Sequence, residues 1–264
     1  MRPLLALALL LPCARASAFT GKIHEELNRQ AVKEMGYDAV AVDAVTAGNL
    51  LTDKDEGVGG EFWTAAAHFD NEQLAAGSKR MKEKILQALK DLDGCDPAAA
   101  REQLGRVLHS TQDFFAHSNW IENHAFDEKV DLLSLSDPGK DVICLPGSHK
   151  GPLTSGYYFR DDKQAAPPGK CLHNGELHKD DPSRRMHADA RAKALAQSRE
   201  ILALFDRLVS AKYGPSASGE AAFRLRLLKI GASSEKERAA CRPHPAAAGP
   251  TPLPKILEVN PWHP

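Results

Sequence analysis

The stretch from Leu104 to Trp120 constrains this chain more than any other. It places His109, Asp113 and His117 at intervals of four inside a helical pattern that starts at Pro97 and is expected to run to about Glu122. Each step of four residues turns about 40° around a helix, so the three side chains fall within an arc of about 80°. Leu108 and Phe115 lie beside this stripe and should close it off from water. Two imidazoles and a carboxylate buried in line must be satisfied by something. A divalent metal ion does so, since imidazole nitrogen and carboxylate oxygen are ordinary zinc ligands. Asp113 has two oxygens and can bridge two ions. A metal-free His–Asp–His ladder would also fit polar residues at this spacing, so the helix alone leaves both readings open.

Other polar residues weigh on that choice. His68 ends the apolar run Trp63-Thr64-Ala65-Ala66-Ala67 and is followed by Phe69-Asp70-Asn71. Asp53 stands in an acidic turn at the end of a helical pattern, and His24 lies near the start of the first. Taken singly, each has a plain reading: a core histidine with one hydrogen bond, a helix-terminal aspartate, a surface histidine.

Apolar residues at helical spacing predict helices over 22–35, 38–51, 72–92, 97–122, 183–212 and 218–230. Gly36 and Gly94 are expected to end the first and third, Pro97 to open the fourth, and Ser183 to cap the fifth. Residues 125–182 are rich in Gly, Pro, Asp, Lys and Ser and read as a long loop-rich insertion, with a short hairpin near Tyr157-Tyr158-Phe159. A loosely ordered tail is expected over 231–264. The fold class is therefore all-α: one helical domain over 19–230 carrying the insertion.

Composition limits function more than it defines it. Net charge is −1, which argues against an extended nucleic-acid footprint. No run is long enough to span a bilayer. Arg2, the apolar run Leu4–Leu11 and Ala16-Ser17-Ala18 read as a signal peptide over 1–18, cut after Ala18, which implies a secreted or periplasmic protein with Phe19 first. Cys95, Cys144, Cys171 and Cys241 then remain and suit one or two disulfides. Cys144 and Cys171 flank one loop-rich region and are the favoured pair. None has C-x-x-C spacing, so a thiolate zinc site is not expected.

Taken together, Phe19 with His24, Asp53 with His68, and the run from His109 through Ser118-Asn119-Trp120 resemble the zinc-dependent phospholipase C and single-strand nuclease superfamily. The segments His68–Asn71 and Asp113–Asn119 resemble its HET-C-like branch most. The resemblance covers roughly residues 19–210 and implies a phospholipase C-like helical bundle around two or three zinc ions. It would assign Asp53, His68, His109 and Asp113 to one zinc. The amine and carbonyl of Phe19, with His24 and Asp113, would hold a second; His117 and His187 would hold a third. Two departures stand out. The catalytic members begin with Trp rather than Phe19, and the carboxylate expected four residues after the late histidine is Arg191, a cation with no lone pair to offer. His178, Asp180 or Asp181 could reach in from the loop instead, and His173 is a further candidate. His124, His149, His244 and His263 are expected on the surface.

The activity so implied is an exported zinc-dependent phosphodiester hydrolase, phospholipase C-like. Its zinc-bound water would be deprotonated near neutral pH, and Asp53 and Asp113 would be its catalytic carboxylates. The implied partner is a phosphodiester substrate, such as a phospholipid head group at a membrane surface. The alternatives are a non-catalytic, zinc-stapled HET-C-like interaction module and a zinc-dependent single-strand nuclease.

Overall fold

A computed structural model describes residues 19, 21–55, 60–139, 143, 151–158, 166–175, 177–214, 219–231 and 239–243. The signal segment and its cut, Phe159, Cys144, His149, His244, His263 and most of the expected tail lie outside the described residues. The described chain is all-α, with no strand in it. In order, it forms α1 (Gly21–Glu34), α2 (Ala39–Thr52), a 3₁₀ turn (Glu61–Trp63), α3 (Ala65–His68), α4 (Leu74–Asp93), α5 (Pro97–His117), α6 (Trp120–Asn123), α7 (His187–Tyr213) and α8 (Glu220–Lys229).

Helix α5 is the axis of the molecule. Asp96 caps it by accepting the Ala99 N–H at 3.0 Å, and Pro97 occupies its first turn. Every residue from Val107 to His117 is buried, because α1, α2, α4, α7 and α8 all pack on it. A helix enclosed on all sides can carry a polar stripe only if that stripe has its own partners.

The α2–α5 crossing is unusually close. A Cβ on Gly105 would lie 2.2 Å from the Val45 carbonyl oxygen, and one on Gly48 would lie 2.6 Å from that of Glu102. Two missing side chains thus let the backbones touch. The approach brings Asn49 and Asp53, on the same side of α2 and at its end, up to His109.

Several boundaries differ from the sequence expectation for local reasons. Helix α5 stops at His117, because the Ser118 backbone is extended and the Asn119 N–H turns away to the Thr154 carbonyl at 3.1 Å. Helix α7 begins at His187 rather than Ser183, whose N–H is taken by the Asp181 carboxylate at 2.8 Å in a preceding turn. Gly94 does end α4, as its C-cap, and the left-handed residue that follows is Cys95 (φ 62°). No hairpin forms around Tyr157 among the described residues; single bridges tie Ser118 to Ser155 and Tyr157 to Leu172.

Cys95 is bonded to Cys241, across a separation of 146 residues. Arg224, 1 % exposed, lies behind both sulfurs, with Nη1 3.3 Å and 3.1 Å from them. Cys171 is disulfide-bonded as well. No described helix is long and apolar enough to cross a membrane.

Candidate metal centre

Five of the expected ligands meet at the middle of α5. His109 Nε2 lies 2.9 Å from Asp113 Oδ2, 3.3 Å from Asp53 Oδ1 and 3.2 Å from His68 Nδ1. His68 Nδ1 lies in turn 2.8 Å from Asp113 Oδ2 and 3.9 Å from Asp53 Oδ1. On the other side of the same carboxylate, His24 Nε2 stands 3.1 Å from Asp113 Oδ1. His24, His109 and Asp113 are completely buried; Asp53 forms the rim, its side chain 15 % exposed.

The His68–Asp113 and His109–His68 contacts are hydrogen bonds, and the group as a whole also has the chemistry and spacing of metal ligands. Four donors about 2.0–2.1 Å from a tetrahedral zinc stand about 3.3 Å apart, and the five edges above scatter around that length. His24 Nε2 and Asp113 Oδ1 are both buried and make no hydrogen bond of acceptable geometry among the described residues, close as they are. His68 Nε2 is likewise unpaired. The far nitrogens are held: His24 Nδ1 is 2.6 Å from Gln112 Oε1, and His109 Nδ1 is 3.4 Å from Asn49 Oδ1. Donating Nδ1–H to those amide oxygens leaves both Nε2 lone pairs turned toward Asp113.

Electrostatics point the same way. Burial pushes the Asp113 carboxyl up, but the neighbouring His109 and His24 outweigh it and hold the group well below the carboxylate range. Burial pushes His109 down, yet Asp113 and Asp53 raise it to about 10. The buried carboxylates therefore demand a cation. In the ion-free chain a proton on His109 supplies it; a metal ion would take that proton's place.

The loop that brings His68 and Asp70 into position carries strain. Phe69, Asn71 and Glu72 all have left-handed backbones (φ 57°, 57° and 58°). Tertiary contacts hold them there. Asn71 N–H reaches the Gly156 carbonyl, Tyr158 N–H reaches Asn71 Oδ1, and the Glu72 carboxylate accepts from Thr154 Oγ1 (2.7 Å) and Lys170 Nζ (2.8 Å). Strain maintained in this way is concentrated where function is.

The remaining expected residues fall elsewhere. His117, a turn further along α5, faces Asp70, His173 and Asp180 rather than the cage. His187 is buried with Nδ1 2.7 Å from the Lys179 carbonyl and stands outside the described groups of converging ligand atoms. Phe19 is buried, its ring edge-on to His24 and His187, each at 5.8 Å. Arg191 points outward to Glu26 at 2.8 Å. His124 is not a free surface residue, since it stacks on Trp120 at 3.5 Å. Sequence reasoning missed Asp70, Asn49 and Gln112. Gln112 sits three residues after His109 on the polar stripe, and Asp70 sits two after His68, where a carboxylate beside a ligand was the available signal.

Comparison with known proteins points to a different similarity. A profile for the VWA7 N-terminal domain matches residues 28–149, a range holding Asp53, His68, Asp70, His109, Asp113 and His117. The chain is 32 % identical over 171 residues to von Willebrand factor A domain-containing protein 7 of Rattus norvegicus, covering 52 % of this chain and 19 % of the relative. The Homo sapiens protein of the same name is 33 % identical over 125 residues, covering 42 % of this chain and 14 % of the relative. This chain thus spans less than a fifth of the length of these relatives. No solved structure matches. The resemblance to the phospholipase C and nuclease superfamily and its HET-C-like branch is overturned by these matches. The phosphodiester hydrolase function, with its nuclease and HET-C-like alternatives, goes with it. What the chain is similar to, over 28–149, is the N-terminal domain of von Willebrand factor A domain-containing protein 7.

Proposed function

We propose that this domain holds zinc in the buried centre formed by Asp53, His68, His109 and Asp113, and that the ion is structural. One observation carries the reading: donor atoms of Asp53, His68 and His109 all lie within 4.8 Å of one another, and Asp113 Oδ2 stands 2.8 Å and 2.9 Å from the two histidine nitrogens. A catalytic zinc keeps a position open for water, whereas four protein donors fill the tetrahedron. His24 and the second oxygen of Asp113 offer an adjoining position, with Asp113 bridging. Nitrogen and carboxylate donors in a rigid, dry setting favour zinc over calcium or magnesium, which take oxygen ligands. The ion would add to the buried polar contacts that already join these elements, Ser110 Oγ to the Ala67 carbonyl at 2.5 Å and Asn49 Nδ2 to Gln112 Oε1 at 3.1 Å.

The test is a zinc count on the chelator-stripped chain refilled with zinc chloride. Asp113→Asn keeps the side-chain size and removes the charge that both positions share. It is expected to lose zinc, and its melting temperature should lose most of its response to zinc. A variant that binds as much zinc as the parent refutes the proposal. So does a parent chain that melts at the same temperature with and without chelator.

A further inference from the structure

We infer a second, separate zinc site held by Asp70, His117 and His173, which fastens the loop-rich insertion onto the end of α5. Its donors are distinct from those of the cage. Ligand atoms of the three residues all lie within 4.8 Å of one another, and all three residues are buried. Asp70 Oδ1 is 3.2 Å from His117 Nδ1 and 3.7 Å from His173 Nε2, yet it makes no hydrogen bond of acceptable geometry among the described residues. A carboxylate oxygen 3 % exposed, aimed between two imidazole nitrogens and bonded to neither, is costly unless a cation lies between them. The far nitrogen of His117 faces Asp180 Oδ1 at 3.3 Å, and His178 Nδ1 is 2.7 Å from the other oxygen of Asp180. None of these four atoms makes a hydrogen bond of acceptable geometry among the described residues, so the carboxylate flanks the site as a nearby charge.

The site joins parts of the chain that nothing regular holds together. Asp70 comes from the strained loop after α3, His117 from the last residue of α5 and His173 from the insertion. Residues 154–157 thread between them. Asn119 N–H bonds the Thr154 carbonyl, Gly156 N–H bonds the His117 carbonyl, and His173 N–H bonds the Tyr157 carbonyl. Gly156 makes the approach possible, because a Cβ there would meet the His173 Cα at 2.6 Å. Isolated bridges of this kind are weak alone, so a metal ion that ties His173 to Asp70 and His117 would be the fastening for the whole segment.

This inference extends the reading of the cage without sharing its ligands, and one set of measurements separates the two. The parent chain, Asp113→Asn, His173→Gln and Asp70→Asn are stripped with chelator, refilled with zinc chloride, and compared for bound zinc and amide hydrogen exchange. His173→Gln and Asp70→Asn are expected to bind about one zinc fewer per chain, while Asp113→Asn keeps that ion. Amides of 154–157 and 171–173 should exchange at least about tenfold faster without it, with α4 unchanged. Zinc lost from Asp113→Asn but fully kept by His173→Gln and Asp70→Asn would uphold the cage and overturn this site. The reverse pattern would uphold this site and overturn the cage. Should the variants not fold, the parent chain decides: loop exchange indifferent to added zinc overturns the inference.

Discussion

Placing a methyl group on Gly105 tests the packing that builds the cage. The Cβ of Gly105→Ala would stand 2.2 Å from the Val45 oxygen, 2.4 Å from the Asn49 nitrogen and 2.7 Å from the Gly48 carbonyl carbon. Ordinary contact begins near 3.4 Å, and all three atoms are backbone, so relief requires α2 and α5 to part by about 1 Å. Alanine gains about 1 kcal/mol over glycine in helix propensity. Overpacking a close backbone contact costs about 3 kcal/mol or more, the upper end of its usual range, because no side chain can swing aside. The net is a loss of about 2 kcal/mol, or about 4–8 °C in melting temperature for a chain of this size. Moving α2 outward also widens the Asp53–His109 edge from 3.3 Å toward a length that one zinc cannot span. Thermal melts with and without zinc, with a zinc count at each, measure both effects. An alanine variant that melts at or above the parent and binds zinc as tightly would show that the crossing does not set the geometry of the centre.

Three further outcomes follow from other parts of the molecule. Burial raises the Glu61 carboxyl, but the charge of Arg80 and hydrogen bonds from Lys84 and Arg106 outweigh it and hold it at about 2. A depressed carboxylate stabilises the fold above its unfolded value near 4.5 and loses that contribution as pH falls toward 2. The stability of Glu61→Gln should therefore fall less steeply across this window, by about 2 kcal/mol after solvent screening, and parallel curves would refute the pairing. Zinc entering the cage displaces the proton that Asp113 and Asp53 keep on His109, so affinity in a chelator competition should drop about tenfold per pH unit for each proton released; a flat profile would contradict it. Cys241→Ser opens a loop closed over 146 residues and should cost about 2–5 kcal/mol in denaturant unfolding, with an unchanged midpoint as the contrary result.

Much of the helical frame was readable because it depends on local chemistry. Apolar spacing located α1, α2, α4, α5, α7 and α8 within a few residues, and Pro97 marked the start of α5 correctly. The polar stripe was readable for the same reason, since His109, Asp113 and His117 share one helix. What could not be read was which partners His117 meets: His187 was expected, and Asp70, His173 and Asp180 stand there. His117 turns to a different set of partners because α5 ends there and the chain from 118 to 119 joins the insertion. Asp70 and His173 gave little signal, because contacts of residues 156–158 position them, reaching the Asp70 loop from more than 80 residues away and His173 from within the insertion. Similarity of short motifs also misled on family: His68–Asn71 and Asp113–Asn119 are metal-compatible patterns, and such patterns do not fix ancestry or chemistry.

The left-handed run at Phe69, Asn71 and Glu72 bears on the order in which the molecule assembles. Those three backbones are unfavourable in isolation, and their supports come from Thr154, Gly156, Tyr158 and Lys170, far along the chain. The hairpin of α1 and α2 and the docking of α4 on α5 need none of them. The loop carrying His68 and Asp70 is therefore held in place only once residues 154–158 and Lys170 have closed over it. If the centre takes an ion as proposed, it would do so last, and an occupied centre would report that the tertiary structure is complete. A cell that reads occupancy, through resistance to proteolysis, would be inspecting finished chains and discarding those with the same helices but an unseated loop.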